Sequence, residues 1–192
     1  MLRRLINDLV KKRGSEDISQ RLATAEVSYQ RGAELAVAGD FDKAIEHLQE
    51  AVRQRPDYLE ACLGLGDALL SVRRFASAAE AYRVALSLQP ELSEVHMNLG
   101  TALEGCGEYD AAIEAFQKAL ALRPNYPGAW SNLGFTLQEA GRLDEAISCF
   151  RRALSYRPVF LKAHSNLLFA LCHYYRVDPK DVYAEHVRWA TL

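Results

Sequence analysis

Trp130-Ser131-Asn132-Leu133-Gly134-Phe135-Thr136-Leu137, followed by Ala146-Ile147-Ser148-Cys149-Phe150-Arg151-Arg152-Ala153 and then Pro158, is the stretch from which the fold can be read. One period upstream the same frame reads His96, Leu99, Gly100, Leu103, then Ala112, Phe116, Ala119 and Pro124. Another period back it holds Cys62, Leu65, Gly66, Leu69, Ala78, Tyr82, Ala85 and Pro90. A weaker first copy gives Ser28, Arg31, Gly32, Leu35, Ala44, Leu48, Ala51 and Pro56. Prolines 56, 90, 124 and 158 therefore recur at a constant interval of 34 residues, which uses four of the chain's six prolines.

Each copy has the signature of two packed helices. Trp130, Leu133 and Leu137 step by three and four, the spacing of one face of an α-helix. Ala44-Ile45, Leu48 and Ala51-Val52 form a second such stripe. Glycine inside a helix costs about 1 kcal/mol relative to alanine. Its recurrence at Gly66, Gly100 and Gly134 predicts that a neighbouring helix comes very close there. Ala78, Ala112 and Ala146 are expected where a larger side chain would push the pair apart. Gly39, Gly107 and Gly141 fall between the helices, where glycine readily takes a positive φ. Turns are expected near residues 39–41, 73–75, 107–109 and 141–143. Each proline ends a second helix, since it lacks an N–H and forces the preceding residue out of the α region.

No such pair can bury its apolar stripe alone, so copies must stack. This 34-residue pattern is identified as that of the tetratricopeptide-repeat family, over residues 25–158. The resemblance implies an all-α, right-handed α-solenoid of helix-turn-helix repeats whose concave surface binds other polypeptides.

Residues 1–24 are read as an N-terminal capping region, 25–158 as four repeats, and 159–192 as a partial fifth repeat with a terminal helix. Leu2, Leu5, Ile6, Leu9 and Val10 predict an amphipathic helix over 1–14, with Arg3, Arg4, Lys11, Lys12 and Arg13 opposite. Its expected role is to cap the first repeat; the alternative is a basic surface helix that touches a membrane or a partner. The fifth copy begins correctly with Leu161, His164, Leu167 and Leu171. Leu168 then replaces the glycine, and Lys180 stands where the small alanine belongs. Asp178-Pro179 reads as an N-cap followed by proline at the first helical position. The helix it starts carries Val182, Tyr183, His186 and Trp189 with little to bury them, which predicts an exposed apolar face.

The segment His164-Ser165-Asn166-Leu167-Leu168-Phe169-Ala170-Leu171, with Ala184-Glu185-His186 and Trp189, resembles the junction of bacterial O-linked N-acetylglucosamine transferase-like proteins (glycosyltransferase family 41). In that family a tetratricopeptide array leads into a catalytic domain that uses UDP-N-acetylglucosamine. The resemblance implies an array that presents protein substrate to a downstream transferase domain.

Asn98, Asn132 and Asn166 repeat at the 34-residue interval, one place before the leucine. The family resemblance places them on the concave face. An asparagine amide offers both donor and acceptor, and so can pair with a peptide backbone without reading its sequence. The alternative is a solvated residue of no consequence. Asp67, Glu94 and Glu139, with Glu60 and Glu104, predict a mildly acidic groove suited to basic or neutral extended peptides. A clamp for an acidic C-terminus is disfavoured, because its positions hold Glu26, Glu60, Glu94 and Gly128, with Lys162 the one base. His96 and His164 share the register of Trp130 and are expected to pack in the core. His173 and His186 fall outside the regular array.

Composition narrows the rest. With 23 basic and 25 acidic residues, nothing favours nucleic acid or an anionic membrane as partner. Cys62, Cys106, Cys149 and Cys172 have no metal-ligand spacing, so no metal is expected. Cys106 between two glycines reads as exposed in a turn, flanked by Glu104 and Glu108. The absence of a leader and of a long apolar run suggests a cytoplasmic protein. No P-loop, GxSxG or HExxH is present, and Gly64-x-Gly66 lies inside a repeat helix. No catalytic residue or cofactor is therefore assigned. A protein-binding module is expected, with the substrate array of a protein O-glycosyltransferase as the main reading and a stand-alone adaptor as the alternative.

Overall fold

A computed structural model of the chain describes the backbone of residues 2–173 and 178–190, and the side chains of 18–173, 178–180 and 182–190. The helices are α1 (Leu2–Val37), α2 (Phe41–Gln54), α3 (Leu59–Ser71), α4 (Phe75–Leu88), α5 (Ser93–Gly105), α6 (Tyr109–Leu122), α7 (Pro127–Glu139), α8 (Leu143–Tyr156), α9 (Leu161–His173) and α10 (Pro179–Ala190). No strand occurs among the described residues. The fold class is the all-α solenoid class of tetratricopeptide hairpins. By contacts the chain divides into two compact units, 1–89 and 90–192. In the first, α1 packs on α2, α2 on α3 and α3 on α4, with α1 also beside α3. In the second, α5 to α10 pack each on the next, with α5 beside α7 and α7 beside α9.

The recurrent glycines mark the close approach. A Cβ on Gly66 would lie 2.5 Å from the Tyr82 ring. On Gly100 it would lie 2.7 Å from Phe116, and on Gly134 2.7 Å from Phe150. These three rings are fully buried, and Ala78, Ala112 and Ala146 beside them are completely shielded. In the weak first copy Gly32 meets Leu48 in the same way, at 2.7 Å.

A second recurrence links the proline to the first helix after it. Arg55, Gln89, Arg123 and Arg157, each before a proline, have ψ between 85° and 97° and leave the helix there. The proline carbonyl that follows is then free to accept. Trp130 Nε1 donates to Pro124 O at 2.8 Å. His96 Nε2 lies 2.8 Å from Pro90 O, and His164 Nε2 2.9 Å from Pro158 O. Cys62 Sγ makes the weak version, 3.9 Å from Pro56 O. A carbonyl only accepts, so both imidazoles carry their proton on Nε2. Tryptophan and histidine can share this position because each has a ring N–H to donate.

The turns sit one residue earlier than expected, at 38–40, 72–74, 106–108 and 140–142. Ala44, Ala78, Ala112 and Ala146 already donate to the carbonyls of Asp40, Arg74, Glu108 and Arg142, so the apolar residue after each turn begins the helix. Gly39, Gly107 and Gly141 take φ of 81°, 78° and 76°. The second repeat has Arg73 at this place, with φ 60°. A side chain there carries a cost that glycine does not. Arg73→Gly is expected to stabilise the first unit by roughly 0.5–1 kcal/mol, read as a higher denaturation midpoint at unchanged slope.

The N-terminal region is not set apart by a turn. Helix α1 runs without a break through Gly14 into the first repeat. The stripe of Leu2, Leu5, Ile6, Leu9 and Val10 lies outside the described side chains. Further along α1, Ala25 packs with Ala51, Tyr58 and Ala61, and Tyr29 joins them. At the other end, Asp178 Oδ1 accepts from the Lys180 N–H at 2.8 Å, the N-cap that the Asp-Pro pair predicts.

Candidate functional site

The asparagines fall on the first helices of the second unit: Asn98 on α5, Asn132 on α7 and Asn166 on α9, all half-buried. Because α5 lies beside α7 and α7 beside α9, the 34-residue spacing becomes a row across three neighbouring helices. The structure ties the middle member down. Asn132 Nδ2 donates to Thr101 Oγ1 at 3.4 Å, and Lys162 Nζ donates to Asn132 Oδ1 at 3.2 Å. Asn132 thus offers a held amide rather than a swinging one. Asn166 Nδ2 is buried with no hydrogen-bond partner among the described residues.

Glu104 of α5 joins this row. Its Oε2 accepts from Thr136 Oγ1 at 3.2 Å. Burial pushes the Glu104 carboxyl above its ordinary range; Thr136 and Lys162 pull it back, and Glu139 adds to the rise. Glu139 itself is exposed. A carboxyl raised in the folded state opposes folding when charged. Its cost is absent below the ordinary carboxylate value and is fully felt once pH has risen past the folded value. Glu104→Gln keeps an acceptor for Thr136 and removes the charge. The variant is expected to be at least as stable as the parent at neutral pH, and to lose the part of the parent's acid-side stability gain that Glu104 supplies. Thermal melts at several pH values check this.

The remaining acids, Asp67 and Glu94, are exposed, and each has a neighbour against it. Glu94 accepts from Arg123 Nη1 at 3.4 Å but is largely exposed, so the pair is weak. Asp67 lies on α3 in the other unit, where its Oδ1 accepts from Tyr82 Oη at 2.6 Å. Tyr82 replaces the phenylalanine of the later repeats, and its hydroxyl needs a partner. Glu26 is similarly engaged by Tyr58 Oη at 2.7 Å.

Aromatic character is what the acidic reading missed. Phe169 is 53% exposed and stacks on His173, with centroids 4.0 Å apart. Phe135 occupies the same repeat position on α7 and is half-buried. These residues stand 34 apart, as Thr101 and Asp67 do before them, so the register was visible. Their exposure depended on packing. His164 is buried as expected and His96 half-buried, whereas His173 and His186 are exposed. Cys106 is exposed at the α5–α6 turn, and burial pushes the Cys149 thiol up to about 11. No cluster of metal-ligating side chains occurs among the described residues. No described helix is long and apolar enough to cross a membrane.

A family model described as the cilia and flagella-associated protein 70 C-terminal domain, a tetratricopeptide domain, matches residues 2–187. The chain belongs to this family. No curated protein matches it. Among solved structures, it is similar to a crystal structure of MamA protein at 27% identity and a TM-score of 0.76, covering 88% of each chain. MamA 41-end from Desulfovibrio magneticus RS-1 is 19% identical, with a TM-score of 0.77 over 88% of this chain and 92% of that one. YrrB, described as a TPR protein with an unusual peptide-binding site, is 20% identical, with a TM-score of 0.72 over 85% of this chain and 84% of that one. The last two likenesses bear on the fold alone.

Proposed function

We infer that the chain is a protein-interaction module that binds an extended polypeptide along the α5, α7 and α9 faces of its second unit. The observation that carries this reading is the row of Asn98, Asn132 and Asn166, whose middle amide is held in place by Thr101 and Lys162. A held amide pairs with a peptide backbone without first losing rotamer freedom. Phe135 and Phe169 add apolar area for a ligand side chain, while Glu94 and Glu139 favour neutral or basic segments over acidic ones. Asp67, in the other unit and already bonded to Tyr82, is given no part in this binding. Residues 25–158 serve as the repeats, and 159–192 as the element that follows them. YrrB's peptide-binding site belongs to that protein; what it lends here is a shared fold.

The transferase reading of the segment 164–189 rests on that segment's likeness alone. The matching family model runs across the same residues and carries a different description. We therefore place the adaptor reading first and the substrate array of a glycosyltransferase second. Panning a library of random linear peptides against the purified chain tests the proposal. Enriched peptides should compete with one another and lose affinity to variants of Asn132 and Asn166. Enrichment of folded binders only, indifferent to those variants, would count against it.

A further inference from the structure

We propose that Phe169, backed by His173 and facing Glu139, is the seat for one arginine side chain of the bound polypeptide, next to a main-chain carbonyl taken by Asn166. This rests on the binding reading above and states which residue the groove selects. The register across the helices brings these groups together. Contacts between neighbouring first helices join residues 30 to 32 apart: Lys162 with Asn132, Asn132 with Thr101, and Thr136 with Glu104. On the same offset Phe135 of α7 stands opposite Asn166 of α9, and Glu139 opposite Phe169. Asn166, Phe169 and His173 step by three and four and so share one face of α9; Phe135 and Glu139 share one face of α7.

One replacement creates both halves of the seat. Asn132 spends an Nδ2–H on Thr101, and one period later Phe135 stands where Thr101 stood. A ring in place of a hydroxyl removes the acceptor, and the Asn166 Nδ2 is indeed buried with no partner among the described residues. An unpaired buried N–H is costly, and a ligand carbonyl relieves that cost. The amide meets it by turning about its last torsion, which is soft in asparagine. Phe169 is 53% exposed, and its ring stacks on His173 with centroids 4.0 Å apart and planes 27° apart. His173 Nδ1 lies 2.8 Å from the Phe169 carbonyl, which only accepts, so that nitrogen carries the proton and the imidazole is held. A ring braced in this way offers flat area with little freedom left to lose. Glu139 is exposed and has no ion-pair partner among the described residues. Its charge raises the Glu104 carboxyl, so negative potential gathers at this end of the face. A guanidinium suits the pair: it stacks on the ring and donates two N–H groups to the carboxylate. Lysine brings a point charge without the flat stack, and an aromatic side chain leaves Glu139 unanswered. Lys162, the cation on this face of α9, is seven residues before Phe169, about 10 Å along the helix, and is held at Asn132.

A library of random linear peptides panned against the full chain, and in parallel against its Phe169→Ala and Glu139→Lys variants, tests the seat. Both side chains are exposed, so both variants should melt like the parent. Peptides selected on the parent should share an arginine at one place. Replacing it by alanine should weaken binding about tenfold, and by lysine about threefold. Phe169→Ala should bind the arginine peptide about two- to fivefold more weakly and leave its alanine version unchanged. Glu139→Lys should lose affinity for the arginine peptide and recover part of it when glutamate replaces that arginine. Peptides that depend on Asn132 and Asn166 yet share no arginine, or that bind both variants as tightly as the parent, would overturn the seat and leave the groove reading standing. An aromatic residue selected at the shared place would overturn the seat in the same way. Peptides indifferent to Asn132 and Asn166 would overturn the groove reading, and the seat with it.

Discussion

Phe116→Ala is expected to cost the second unit about 3–5 kcal/mol, the range for emptying a fully buried aromatic site. The ring is completely shielded and fills the space that Gly100 leaves open. The converse change should also be destabilising. Gly100→Ala improves helix propensity by about 1 kcal/mol, but its Cβ would sit 2.7 Å from a ring with nowhere to go. Overpacking of this kind costs about 1–3 kcal/mol, so a net loss is expected, and Gly100→Val should lose more. Gly128→Ala serves as the contrast, since its nearest neighbour is the Tyr126 ring at 3.6 Å, an ordinary contact. That variant should be neutral or slightly stabilising. Urea denaturation of the four variants checks the set. Equal effects at Gly100 and Gly128 would contradict the close-approach account.

The Asn98, Asn132 and Asn166 row yields the second large effect. Each hydrogen bond lost to a peptide backbone should cost on the order of 1 kcal/mol, or about fivefold in affinity. The triple alanine variant should therefore bind a selected linear peptide about a hundredfold more weakly, provided the three sites act independently. Asn132→Ala also frees Thr101 and Lys162 from their partner, so a small loss of stability at this one position is expected. Isothermal titration alongside thermal melts separates the two effects. A triple variant that melts like the parent and binds undiminished would remove the row from the site.

Much of this architecture was legible because its causes are local. The 34-residue spacing of Pro56, Pro90, Pro124 and Pro158 reports where helices must end. The recurrent Gly100 and Gly134 report where a ring must fit. The exchange of His96, His164 and Trp130 at one position becomes intelligible only with the proline carbonyl six residues earlier in view. The site was less legible. Asp67 and Glu94 read as free acids, yet Tyr82 and Arg123 lie against them once the helices pack. Thr136 and Glu104, which find each other across α5 and α7, stand 32 residues apart in the sequence and carry no pattern that pairs them. Phe169 entered the sequence reading only as part of the segment 164–171; its exposure depends on what packs beside α9. Continuity of α1 through Gly14 was hidden because a glycine and a serine ordinarily argue for a break.

The central claim is that a polypeptide lies along the first helices of the second unit. Its most direct test is the NMR spectrum of the chain titrated with a peptide selected by panning. Side-chain amide signals of Asn98, Asn132 and Asn166 should shift or sharpen as the complex forms, together with backbone signals of α5, α7 and α9. Saturating shifts confined to α6 and α8, with the three asparagine side chains unmoved, would contradict it.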